Sequence, residues 1–115
     1  MHEMGIALEI IDIVKDHLPA DKPAVKVERV NVQIGKLSAI VADSLRFCFD
    51  IAIQDTPVAG AKLIIEEVPV VARCNACAHC WTIDQPVFVC PICGGGSLNL
   101  LSGRELDIKS IEITE

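Results

Sequence analysis

Between Met4 and Leu18, apolar side chains recur at Ile6, Ala7, Ile10, Ile11, Val14 and Leu18, the i, i+3, i+4 spacing of an amphipathic helix. Glu9, Asp12, Lys15 and Asp16 supply its wet face, and Pro19 ends it, because proline disfavours helical backbone in the residue before it. Asp21 to Pro23 read as a turn. Val25 to Ile34 predicts a strand with Val25 and Val27 in one phase and Val30, Val32 and Ile34 in the other. The slip at Glu28-Arg29 marks a bulge or a late start, and Gly35 closes the strand. A second helix is predicted from about Asp43 to Gln54, with Leu45, Phe49, Ala52 and Ile53 on one face and Asp43 or Ser44 as its cap. Asp55-Thr56-Pro57 breaks it. Ala61 to Val71 is β-rich, with Pro69 barred from a central ladder position. Leu106, Ile108, Ile111 and Ile113 alternate with polar residues, with one slip at Lys109-Ser110, and form a final strand that returns to the main sheet. The order predicts an α+β fold: a small three-stranded sheet with two packed helices, plus an inserted cysteine module of short β-hairpins. Residues 1–70 and 103–115 are expected to form the α/β domain, and residues 71–102 the module.

Within the module, Cys74-x2-Cys77 and Cys90-x2-Cys93 are separated by twelve residues. Two thiolates two residues apart can face one ion from a single tight turn, and two such turns close a tetrahedral four-sulfur site of zinc-ribbon type. Pro91 and Gly94 suit the second turn, since proline fixes φ and glycine frees it. Trp81-Thr82-Ile83 and Val87-Phe88-Val89 are expected to pair as a hairpin around Asp84-Gln85-Pro86. Four protein ligands leave no open position for water, so the metal would be structural. Iron in a rubredoxin-type site is a competing occupant, which makes an electron carrier the alternative function; a redox-active dithiol protein is a third reading. Cys80 is a surplus thiol, read as a bystander beside Trp81, and His79 as a loop imidazole with ligand exchange or support of the site as the sharper option.

Composition narrows the field. Of 115 residues, 51% are hydrophobic but only 3% aromatic, so the core must be aliphatic. Ten basic residues against sixteen acidic ones give a net charge of -6, and no Lys or Arg falls between Cys74 and Ser102. Nucleic-acid binding driven by counterion release is thereby disfavoured. No apolar run approaches the roughly 18 residues of a membrane span, and Met1-His2-Glu3-Met4 is no secretory start, so a cytoplasmic location with reduced cysteines is expected.

His2, taken alone, reads as a solvated side chain. Chemistry offers another reading: the α-amine, successive backbone amides and the imidazole of Met1-His2-Glu3 can chelate one ion, and square-planar nitrogen coordination suits Ni(II) or Cu(II). Glu3 can ligate or hold the imidazole. Together, Met1-His2-Glu3-Met4, the short helix, the Cys-x2-Cys and Cys-Pro-x-Cys-Gly pairs, and Gly103-Arg104-Glu105-Leu106-Asp107-Ile108 resemble the HypA/HybF hydrogenase nickel-incorporation family over essentially the whole chain. The resemblance implies a nickel metallochaperone with transient Ni(II) at His2, aided by the Met1 amine and the backbone of Glu3, and with Glu3 as a further nickel candidate. It implies structural Zn(II) at Cys74, Cys77, Cys90 and Cys93. It also implies work with the GTPase HypB, delivery to the large subunit of nickel–iron hydrogenase, and in some organisms service to urease accessory machinery. A monomer or weak dimer is expected. Gly5 departs from the family's frequent hydroxyl residue, and Cys80 adds a thiol that the family does not require.

No catalytic set emerges, so the chain is not expected to be an enzyme. Ser38, Ser44 and Ser97 have no histidine partner in a motif, and Glu66-Glu67 reads as a solvated strand edge. His17 suits a helix C-terminus, Cys48 is expected in the core of the second helix, and Asp43 is a candidate to approach the N-terminus.

Overall fold

The computed structural model describes residues 3–19 and 25–114; the turn expected at Asp21 to Pro23 lies outside them. The chain divides into two compact units, one drawn from residues up to Gln33, Ala39–Glu66 and Asp107 onward, the other from Ile34–Ser38 and Glu67–Leu106.

In the first unit, helix α1 (Glu3–Asp16) buries Ile6, Ala7, Ile10, Ile11 and Val14, the stripe expected from the spacing. It packs on helix α2 (Ala42–Ala52), which contributes Leu45 and Phe49 to the core. A three-stranded sheet runs in the order β2 (Lys62–Val68), β1 (Lys26–Gly35), β6 (Leu106–Thr114). Val27, Val30 and Val32 of β1 and Leu63 of β2 are buried beneath an aliphatic core with one aromatic, Phe49. Both phase slips are present: Glu28 and Arg29 are exposed together, as are Lys109 and Ser110 between half-buried Ile108 and Ile111. The opposite side of the sheet carries a polar ladder. Arg29 pairs with Glu112 at 3.1 Å, Asn31 donates to Ser110 and Glu112 at 3.0 and 2.9 Å, and Thr114 donates to Glu28 at 3.1 Å. Numbers rise along β1 as they fall along β6, so the two strands are antiparallel.

Two expectations about α2 fail. Its N-cap is Val41, with no side-chain cap of its own, and the expected caps Asp43 and Ser44 lie inside the helix. Asp43 instead pairs with Arg46 at 2.8 Å, while the Val41 amide donates to the Glu3 carboxylate at 3.3 Å. A residue from α1 thus satisfies an amide at the start of α2, a contact no local pattern encodes. Cys48 is half-buried rather than in the core.

In the second unit, the β-rich stretch from Ala61 breaks at Pro69. Beyond the proline, β3 (Val70–Cys74) forms the centre of a sheet ordered β4 (Cys80–Ile83), β3, β5 (Leu98–Ser102). Both pairings are antiparallel: Val70 faces Ile83 and Arg73 faces Cys80 on one side, and Cys74 faces Leu98 on the other. The expected hairpin between Trp81–Ile83 and Val87–Val89 is absent, because β4 spends its ladder on β3 and residues 87–89 take no strand form. Pro86 and Pro91 bracket that stretch and lack the amides a ladder needs. Strand β5 was unforeseen, although Leu98 and Leu100 do alternate with exposed neighbours.

Candidate metal centre

Both knuckles are built alike. Cys74 closes β3, where the Ala78 amide donates to its carbonyl at 3.0 Å and its own amide donates to His79 at 2.8 Å. Cys90 repeats the arrangement: the Gly94 amide donates to its carbonyl at 2.9 Å, and its amide donates to Gly95 at 2.9 Å. Four residues after the first cysteine of each pair, Ala78 and Gly94 adopt positive φ, 65° and 73°. The Ala76 amide also donates to Cys74 Sγ at 3.4 Å. A side chain on Gly95 would place its Cβ 3.3 Å from Cys93 Sγ, so that glycine keeps room beside the sulfurs.

The turns bring Cys74, Cys77, Cys90 and Cys93 together, with all four sulfurs within 4.8 Å of one another. Cys74 lies 3.5 Å from Cys93 and Cys77 3.6 Å from Cys90, sulfur to sulfur. A tetrahedral ion with metal–sulfur bonds of about 2.3 Å needs sulfur separations of about 3.8 Å, so the four thiols fit a zinc-sized ion with little adjustment. Cys74 and Cys90 are buried, and Cys77 and Cys93 stand at the surface.

Acidities divide the same way. Amides of Cys77 and Ala76 donate to Cys74 and, against burial, bring its thiol down to about 7. Burial pushes Cys90 up, but the amides of Cys93 and Ile92 and the thiols of Cys77 and Cys93 outweigh it, so Cys90 is also lowered. At Cys77 the His79 amide pulls down, yet burial and the thiols of Cys90, Cys74 and Cys93 push the group up to about 12. Cys93 is raised as well: the Gly95 amide lowers it, and the thiols of Cys74 and Cys90 prevail. Two sulfurs therefore give up their protons more readily than an ordinary thiol, and two less readily.

Among the described residues this is the one such metal-ligand group, and Cys80 is not part of it. Cys80 is exposed at the start of β4, its Sγ 4.0 Å from the Ala78 carbonyl. His79 stacks on Trp81, with ring centroids 5.7 Å apart and 9° between planes. His17 contacts the Ile13 carbonyl through Nδ1 at 2.8 Å, the helix-end role expected of it. Met1 and His2 lie outside the described residues. Glu3 opens α1 and accepts the Val41 amide. The sequence marks Gly94 as the free position of the second turn, and the structure gives it positive φ; its left-handed counterpart Ala78 was missed, and their shared offset from Cys90 and Cys74 was the available signal.

A closed four-sulfur cluster on two matched knuckles, in a chain that also builds an α/β unit, defines a small metal-binding protein. The family described as "Hydrogenase/urease nickel incorporation, metallochaperone, hypA" matches residues 1–113. A hydrogenase maturation factor HypA from Desulfosudis oleivorans is 56% identical over 115 residues, with 100% of each chain covered. Another from Desulfatibacillum aliphaticivorans is 50% identical, covering 100% of this chain and 88% of the relative. The solution structure of the Ni metallochaperone HypA from Helicobacter pylori superposes with a TM-score of 0.65 at 28% identity, covering 98% of this chain and 97% of that one. The chain belongs to the HypA family of nickel metallochaperones in hydrogenase maturation. It is a maturation factor and not an enzyme, and the family takes the place of the electron-carrier alternative. No helix among the described residues is long and apolar enough to cross a membrane.

Proposed function

We propose that the chain binds Ni(II) at its N-terminal Met1-His2-Glu3 and hands it, with the GTPase HypB, to the large subunit of nickel–iron hydrogenase, while Cys74, Cys77, Cys90 and Cys93 hold a structural Zn(II). The observation that carries this reading is the completeness of the four-sulfur group. Four thiolates fill a tetrahedral ion, so transferable nickel needs a separate site of harder donors. His2 supplies the imidazole, and the Met1 amine and the amides of His2 and Glu3 supply further nitrogens. The Glu3 carboxylate holds the start of α2 through the Val41 amide, which supports a role in anchoring the motif to the helix pair as well as in ligation. In this division, residues 1–70 and 103–115 take nickel and residues 71–102 take zinc. Urease accessory machinery is a second recipient of the same kind.

Nickel titration of the native chain against His2→Ala and an N-terminally extended form tests the assignment. Both changes are expected to weaken binding at least tenfold, and unchanged affinity in both would sink it. Zinc content in the same samples is expected to stay at one ion per chain.

A further inference from the structure

Each surface cysteine of the cluster faces an interior one from the other knuckle. Cys93 at the surface has its sulfur 3.5 Å from that of Cys74, which is 1% exposed; Cys77 at the surface has its sulfur 3.6 Å from that of Cys90, which is 2% exposed. We propose that the cluster is also a peroxide-modified site, oxidised to two cross-knuckle disulfides, Cys74–Cys93 and Cys77–Cys90, with release of its metal and retention of the module's fold. The inference rests on the reading that the four sulfurs hold an ion.

Exposure assigns the roles. In the metal-bound cluster all four sulfurs are thiolates, and the surface one of each pair, Cys77 or Cys93, attacks hydrogen peroxide: an S–O bond forms, the O–O bond breaks, and hydroxide leaves to become water on taking a proton. The resulting sulfenic acid sits beside an interior thiolate. That thiolate attacks the oxidised sulfur, the S–S bond forms, the S–O bond breaks, and a second hydroxide is protonated to water. Each pair loses two electrons to one peroxide, so the tetrad consumes two peroxides and four protons and yields two disulfides, four waters and the freed divalent ion.

Geometry favours linkage across the knuckles. The sulfurs must close from 3.5 and 3.6 Å to a bond of about 2.05 Å. The backbone bonds that shape each turn, Ala78 to Cys74 and Gly94 to Cys90, can stay in place. Two covalent ties between the knuckles then replace the constraint the ion supplied, so the module keeps its closed form. Cys80 stands outside the group of four and competes with neither pair.

The test treats the zinc-loaded full chain with hydrogen peroxide and reads zinc release with a chromogenic chelator, disulfide connectivity by non-reducing peptide mapping, and fold by circular dichroism. Expected are one zinc released per chain, the linkages Cys74–Cys93 and Cys77–Cys90, a Cys80 that still alkylates, an unchanged spectrum, and zinc uptake restored by dithiothreitol. Cys80→Ser is expected to give the same two linkages. Linkages within a knuckle, linkages through Cys80, or sulfinic and sulfonic acids without disulfides would each overturn the proposal. Reduced chain that takes up no zinc yet forms the two linkages upholds the pairing and defeats the metal reading. Zinc-loaded chain with any other pairing defeats the pairing alone.

Discussion

Ala78 and Gly94 hold equivalent places in the two knuckles and nearly equal positive φ, but only one is a glycine. An L-residue in left-handed backbone costs about 1–2 kcal/mol, partly offset by the greater flexibility glycine has when unfolded. Ala78→Gly is therefore expected to raise stability by up to about 1 kcal/mol, read as a higher denaturant midpoint of the zinc-bound chain, and Gly94→Ala to lower it by a similar amount. Equal midpoints for both variants would mean that the turn is not strained. The cysteines themselves predict proton coupling. Cys77, pushed up to about 12, and Cys93, also raised, carry protons at neutral pH that an ion must displace. Binding is expected to release at least two protons per ion near pH 7, and affinity should weaken as pH falls, roughly tenfold per pH unit for each proton displaced. Calorimetry in buffers of different ionisation enthalpy checks the count, and release near zero would contradict it.

Elements with one wet and one dry face were legible from the sequence. The α1 stripe, the α2 face and the two phase slips of β1 and β6 all record one-sided burial, which leaves its period in the residues themselves. The second sheet was not legible in the same way. Val87-Phe88-Val89 has strand composition, yet the partner of Trp81–Ile83 is β3, reached through the first knuckle, and nothing in the local pattern says which strand wins. The cluster was legible from spacing alone, whereas the Glu3 contact that serves α2 depends on how two helices pack. On the outer side of the β1–β6 pair, the Glu112 carboxyl is held below its ordinary value of 4.5 by the Asn31 amide and by Arg29, which outweigh desolvation. A carboxyl lowered on folding adds stability above its unfolded pKa and loses it as pH falls through the folded one. Glu112→Gln is expected to flatten the acid limb of stability below about pH 4.5 and leave its shape near neutrality intact, as followed by unfolding midpoints across pH.

Across the whole molecule, a charge of -6 argues against nucleic acid but says little about metal, for which the described residues offer the four clustered sulfurs. Within the second unit, the chain passes itself closely at Gly35 and Gly103. The Gly35 amide donates to Glu105 at 2.7 Å and the Leu37 amide to Gly103 at 2.9 Å, and a Cβ on Gly35 would collide with the Gly103 carbonyl. Gly103 itself has φ of 110° and lies so near Val70 that an added Cβ would stand 2.8 Å from the Val70 Cα. The chain therefore leaves at Val70 and returns at Gly103 almost to its starting point. In polymer terms, residues 71–102 form a loop whose ends are already closed, and the entropy of joining them hardly depends on what the loop contains. Such a segment can lengthen, shorten or be exchanged without re-threading its host. Replacing 71–102 with a short glycine-serine bridge is accordingly expected to leave a chain that still unfolds cooperatively, and a gradual, non-cooperative melt would refute that independence.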